Sequence, residues 1–116
     1  MSLYNELVQD HYRHPRNLGH LGQATASART VRGDTMLEFH VRISGGYIQA
    51  ASFRAIGCAG TVAAGSAMTE WLIGRSVAEA RTVTAQHVLK VLQGLPEERH
   101  YCAALAAETI LAVLSQ

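Results

Sequence analysis

Two cysteines carry most of the chemistry this sequence offers. Cys58 sits in the run IGCAGTVAAGS at residues 56–66, flanked by Gly57 and Gly60, and Cys102 follows His100 and Tyr101 in HYCAALAAETI. Both fall at expected helix starts, where free N–H groups and the positive end of the helix dipole favour thiolate over thiol. Thiolates bind soft metals and attack sulfur. An arbitrary cysteine is most often a small buried hydrophobe, but glycines beside Cys58 permit tight turning and close backbone approach, which a ligand site needs and a packed methyl-sized residue does not.

Oxygen and nitrogen donors are also present. Asp34, after Gly33, opens a strand whose end Cys58 also reaches; it reads equally as a metal-facing carboxylate or as a turn aspartate capping the backbone. His100 is a candidate nitrogen ligand, with a solvated histidine before a helix as the simpler account. His11 and His14 have a spacing that could share a metal, but Pro15 ends their helix and a frayed polar end explains them better. The chain has no phosphate loop, dinucleotide fingerprint, nucleophile elbow, zinc-protease motif or Cys-x-x-Cys pair. Catalysis on a carbon substrate therefore has no visible machinery.

The elements that must position these residues follow from periodicity and punctuation. The opening SLYNELVQDHYRHPRN predicts a helix capped by Ser2 and stopped by Pro15, with Leu3, Leu7, Val8 and His11 on one face. Residues 18–32, rich in Gly, Ala, Ser and Thr, read as a short edge strand or a loop. Leu37, Phe39, Val41 and Ile43 alternate with Glu38, His40 and Arg42, and Ser44-Gly45-Gly46 turns the chain into a second strand ending at Ile56, a hairpin with one wet face. Ala59 to Ile73 is a helix whose Gly60, Ala63, Ala64, Gly65 and Ala67 demand a close neighbour, and Gly74 ends it. Ser76 with Glu79 forms a capping box, Thr84 opens another helix running to Gly94, and a final helix from about Tyr101 aligns Cys102, Leu105, Ala106, Thr109, Ile110 and Val113 in one buried stripe.

Bulk properties narrow the function classes. A chain of 116 residues matches one domain, residues 1–116, able to bury a core without disulfide staples. Charged residues are 16% of the chain, against roughly 25% in an average soluble protein, which suggests that a partner covers apolar surface. The net charge of +1 leaves no basic footprint for nucleic acid. No apolar run approaches the roughly 18 residues that span a bilayer, so no membrane role is expected. Two cysteines are too few for a disulfide framework and would remain thiols in a reducing cytoplasm. Strands followed by helices predict an α+β layer.

Together, DHYRHPRNLG, RGDTM, IGCAGTVAAGSAMTEWLIGRSVAEA and HYCAALAAETI resemble the NifU/IscU-type iron-sulfur cluster assembly scaffolds, in order and over nearly the whole chain. The most specific match is the Gly-Cys before a small-residue helix bearing a Thr-Glu pair, here Gly57, Cys58, Thr69 and Glu70. The resemblance implies a three-stranded antiparallel sheet packed against several helices, with a metal or nascent cluster near one tip. It also implies site roles for Cys58, Cys102 and Asp34.

Two positions depart from the family pattern. Where the family usually has Cys-Gly-Asp, this chain has Arg32-Gly33-Asp34, so a thiolate is replaced by a cation. Tyr101 stands where a histidine often precedes the last cysteine, with His100 one residue earlier. LPEER at residues 95–99 only faintly resembles the Leu-Pro-Pro-Val-Lys segment through which some members bind a chaperone.

The expectation is a cytoplasmic, non-enzymatic scaffold that holds iron, a transient iron-sulfur cluster or sulfane sulfur at Cys58, Cys102 and Asp34. These three residues should converge. Arg32 either stabilises the thiolates or pairs with Asp34 or another acid in a site that has lost metal chemistry. The implied partners are a cysteine desulfurase or other assembly proteins, and a homo-oligomer. The alternatives are a metal-free adaptor of the same machinery and a simple zinc-binding domain.

Overall fold

The computed structural model describes residues 3–116. Helix α1 (Glu6–Arg13) precedes strands β1 (Ala26–Arg32), β2 (Thr35–Ser44) and β3 (Tyr47–Ile56), which are followed by α2 (Ala59–Leu72), α3 (Val77–Ala80), α4 (Ala85–Val91), a 3-10 turn at Glu97–Arg99 and α5 (His100–Leu114). The strands form an antiparallel meander in the order β1-β2-β3. Among the described residues no helix is long and apolar enough to cross a membrane.

The alternation in β2 builds the core. Leu37, Phe39 and Val41 are fully buried on one face, joined by Ile48 and Phe53 of β3, and α2 and α5 cover that face. Small residues let α2 approach as the pattern predicts: a Cβ at Gly65 would fall inside the Phe53 ring. Overpacking of that kind costs roughly 1–3 kcal/mol or more. Ten of the fourteen residues of α2 are buried, from Gly60 and Thr61 through Ala63–Thr69 to Leu72, among them the polar Thr61, Ser66 and Thr69, while Glu70 stays exposed. Its packing on α1 includes a hydrogen bond between buried His11 Nδ1 and Ser66 Oγ at 2.7 Å.

Three local expectations change. Residues 26–32 form a full strand because their backbone pairs with β2 from Ala26↔Val41 to Arg32↔Thr35; partner strands override a sequence with little period of its own. The expected cap at Ser2 lies outside the described residues. Asn5 caps α1 by accepting from the Val8 N–H at 2.8 Å, while its Nδ2 donates to the Leu92 carbonyl at 3.0 Å and ties α1 to the end of α4. The outer sheet face is not uniformly wet, since Glu38 and Ser52 are buried there at 6% and 5% exposure.

The other punctuation acts as read. Ser76 Oγ accepts from Glu79 N–H and Thr84 Oγ1 from His87 N–H, each at 3.1 Å. The Glu79 carboxylate turns to Arg75 at 2.8 Å, so half of the capping box forms.

Candidate functional site at the sheet tip

Strand β3 ends beside the β1–β2 turn because Ile56 pairs with Met36. Gly57, at φ +154°, then turns the chain into α2, with Cys58 as the N-cap residue. A Cβ on Gly57 would lie 2.8 Å from Thr61 Oγ1, so glycine is needed both for backbone angle and for room. Cys102 enters from the first turn of α5, fully buried.

The two sulfurs are 3.7 Å apart. Thr61 Oγ1 reaches both, 3.6 Å from Cys58 and 3.4 Å from Cys102, and the Tyr101 hydroxyl lies 3.8 Å from Cys58. Tyr4 completes the surround: its hydroxyl hydrogen-bonds Cys58 and accepts from Arg99 Nε at 3.3 Å. A Cβ on Gly60 would stand 3.3 Å from the Cys102 sulfur and 3.6 Å from that of Cys58. The second glycine of the motif thus keeps clear the space that both sulfurs face.

This surround separates the acidities of the two thiols. Burial is the largest influence on Cys58 and opposes its charge, but hydrogen bonds from Tyr4, Thr61 and Tyr101, with the Thr61 backbone amide, together outweigh it and lower the thiol to about 6 from its ordinary 9.0. For Cys102, burial dominates and the adjacent Cys58 adds to it, pushing the thiol up to about 11. These two values leave one thiolate, at Cys58, and one thiol, at Cys102, at neutral pH. In that state the Thr61 hydroxyl, which reaches both sulfurs, can donate to the Cys58 thiolate and accept from the Cys102 S–H. The expectation that both helix starts favour thiolates is corrected for Cys102, where desolvation exceeds any gain from the helix dipole.

The tyrosines and arginine respond in turn. Burial, then the hydrogen bond to Cys58, raises the Tyr4 hydroxyl, and the Cys58 contact, then burial, raises that of Tyr101. The hydrogen bond to Tyr4 raises Arg99, with the Coulombic pull of Cys58 adding to it.

Asp34 stands at the same end of the sheet but apart from the sulfurs. It is exposed on the β1–β2 turn, lining an open basin of about 350 Å³ with Arg29, Val31, Met36, Arg54 and Ile56. Its carboxylate makes no hydrogen bond or ion pair among the described residues, and it belongs to no group of His, Cys, Asp and Glu donors within 4.8 Å of one another. The structure therefore brings Cys58 and Cys102 together without bringing Asp34 to them.

Arg32 does not face the thiolates either. Its Nη2 donates to both carboxylate oxygens of Glu108 on α5, at 2.7 and 2.5 Å, so its pairing is with another acid, not with Asp34. His100 commits Nε2 to the Leu95 carbonyl at 3.0 Å. His11 is buried against Ser66 and Glu70, whereas His14 caps the end of α1 in the open. These two histidines share no site.

Sequence reasoning missed Tyr4, Thr61 and Arg99. Thr61 was within reach, since a hydroxyl three residues into a helix after an N-cap cysteine faces that cap. Tyr4 and Arg99 come from opposite ends of the chain, and no local pattern joins them.

Comparison with known proteins gives these features a lineage. A family model described as the NifU-like N terminal domain matches residues 3–116. The iron-sulfur cluster assembly scaffold protein IscU of Haemophilus influenzae is 32% identical over 97% of this chain and 93% of its own length. A Drosophila melanogaster relative, named as an iron-sulfur cluster assembly enzyme, is 33% identical over 99% of this chain and 78% of its own. In fold, the chain matches a nitrogen-fixing NifU-like protein (N-terminal) from Brucella abortus with a TM-score of 0.77 at 18% identity, covering 97% of this chain and 92% of that one.

Proposed function

This chain belongs to the family of NifU-like N-terminal domains, and from that premise we propose that it is an iron-sulfur cluster assembly scaffold whose cargo is held through Cys58 and Cys102. The observation that carries this reading is the pair of sulfurs 3.7 Å apart at the sheet tip, one of them with its thiol pKa lowered to about 6. Two soft donors at this spacing can share one metal ion or bridge a small cluster edge. Binding would displace the Cys102 proton, since a coordinating thiol must be deprotonated.

Two sulfurs are half of the four donors that a cluster ordinarily takes. Asp34 would serve as a third donor only if its exposed turn, where Gly33 has φ +58°, moved toward the sulfurs. The fourth would come from a partner chain or a second copy. Val31, Ile56 and Tyr101, 55%, 61% and 43% exposed, put apolar surface around the tip, in keeping with docking of a sulfur donor such as a cysteine desulfurase. The Cys58 thiolate suits sulfur acceptance: it attacks the outer sulfur of a donor persulfide, forming Cys58–S–SH and releasing the donor thiolate. Holding and passing cargo in this way needs no turnover of a carbon substrate, and the reducing cytoplasm is the compartment that keeps both thiols available.

The test is anaerobic reconstitution with iron and sulfide, reading bound iron, acid-labile sulfide and the absorption spectrum, with Cys58→Ser and Arg32→Cys in parallel. The native chain should take up iron and sulfide, Cys58→Ser should fall to background, and Arg32→Cys should hold the cluster more tightly. Uptake by Arg32→Cys alone would overturn the reading in favour of a metal-free adaptor, in which the Arg32–Glu108 pair has closed the third position. Zinc bound without sulfide would favour the simple zinc domain.

A further inference from the structure

A second donor group lies on the face of the sheet away from α2 and α5. His20, Glu38 and His40 place one ligand atom each within 4.8 Å of one another. The His20 and His40 rings meet edge to face with centroids 5.4 Å apart, and His40 Nε2 is 2.7 Å from Glu38 Oε2. Glu38 and His40 are two apart on β2 and so project to the same face. His20 is brought there by the segment before it, which is pinned to β3: Gly19 N–H donates to the Phe53 carbonyl at 2.8 Å, and Phe53 N–H to the Asn17 carbonyl at 3.0 Å.

We propose that His20, Glu38 and His40 form a site for a zinc-type divalent transition metal, separate from the cysteine pair. Two imidazoles and one carboxylate are a known zinc donor set that leaves a fourth coordination position open. Glu38 is only 6% exposed, and burial of a carboxylate needs compensation. The outer partner is already present, because Arg29 Nε donates to Glu38 Oε1 at 2.9 Å and leaves Oε2 for the side of the histidines; hydrogen bonds of this kind orient metal-binding carboxylates.

Arg54 is the competing cation. Its Nη1 lies 4.0 Å from Glu38 Oε2 and 3.4 Å from His20 Nε2, and since a guanidinium only donates, that imidazole nitrogen directs its lone pair at Arg54, the place a metal would take. Arg54 is 44% exposed at its side chain and free to swing outward when a metal takes its place. Ser52 supplies an independent mark. It is paired with His40 across β2 and β3 and shares its face, is 5% exposed, and its Oγ has no hydrogen-bond partner. A cross-strand Arg-Glu-Arg row with the His40 contact would account for Glu38; it leaves the His20 ring set against His40 and the unpartnered Ser52 hydroxyl on the same face unexplained.

The test removes the competing thiols first. The Cys58→Ser/Cys102→Ser protein is titrated with zinc at neutral pH, and histidine ring signals are followed by NMR. One equivalent of zinc should bind, shifting the His20 and His40 rings while those of His14, His87 and His100 stay in place. His20→Ala, a change at an exposed position, and Glu38→Gln should each weaken zinc binding by roughly tenfold or more. Absence of zinc binding once both cysteines are gone, or an affinity indifferent to His20→Ala and Glu38→Gln, would overturn the assignment. Because the readout is made without the cysteine pair, it is independent of whether the chain carries clusters.

Discussion

The starts of α2 and α5 present the same residue type, Cys58 as the extended N-cap of the first and Cys102 within the first turn of the second, yet they hold it in opposite states. Cys58 at the first is half-buried and ringed by hydroxyls, with its thiol lowered to about 6; Cys102 at the second is fully buried and raised to about 11. A helix terminus contributes only a few tenths to about 1 kcal/mol to a nearby charge in exposed settings. Desolvation and direct donors move a group several times further. The difference teaches that cysteine acidity at this tip is set by Tyr4, Thr61 and Tyr101, and by how much water each sulfur has lost.

The sharpest way to break the comparison is alkylation with iodoacetamide, resolved by peptide mass. At pH 7 the thiolate fractions implied by about 6 and about 11 differ by roughly four orders of magnitude, while the lower intrinsic nucleophilicity of the more acidic thiol returns about two. Cys58 should therefore react roughly 100-fold faster than Cys102, with a rate that rises with pH through about 6 and then levels off. Equal rates at the two sulfurs would refute the split.

Thr61→Val comes next in size. It deletes the hydroxyl that touches both sulfurs, so the Cys58 midpoint should move upward and its alkylation at pH 6 should slow by roughly three- to tenfold. An unmoved midpoint would transfer the effect to the tyrosines. The smallest effect belongs to Arg32→Ala. Loss of an exposed pair with Glu108 should change stability by less than about 1 kcal/mol in thermal or urea melts and leave the Cys58 midpoint where it was, because Arg99, by way of Tyr4, is the cation beside that sulfur.

Much of this was legible in the chain. Alternation in residues 37–43 places Leu37, Phe39 and Val41 inward, and the small residues of α2 announce its close approach to the sheet, because both patterns are local and periodic. β1 was half-visible, since an edge segment acquires its conformation from the strand beside it and carries little signal of its own. At the site, the meeting of Cys58 and Cys102 was expected and their sulfurs do meet, whereas Asp34 was expected among them and stands apart on its turn. The true surround of Cys58 was hidden for a topological reason: Tyr4 and Arg99 are neighbours only after the chain has folded back through the sheet. Glu38 was hidden for another, since an acid in an alternating strand reads as solvated until neighbouring strands bring arginines over it.

Phe53 occupies the space that Gly65 leaves, and its backbone is gripped on the other side by Asn17 and Gly19. In evolutionary terms, residues 53 and 65 are not free to drift independently. A lineage that enlarges residue 65 must first accept a smaller residue at 53, and that intermediate loosens the seat of the helix carrying Cys58. The route is steep in either order, so the packing ties the aromatic at 53 to the glycine at 65.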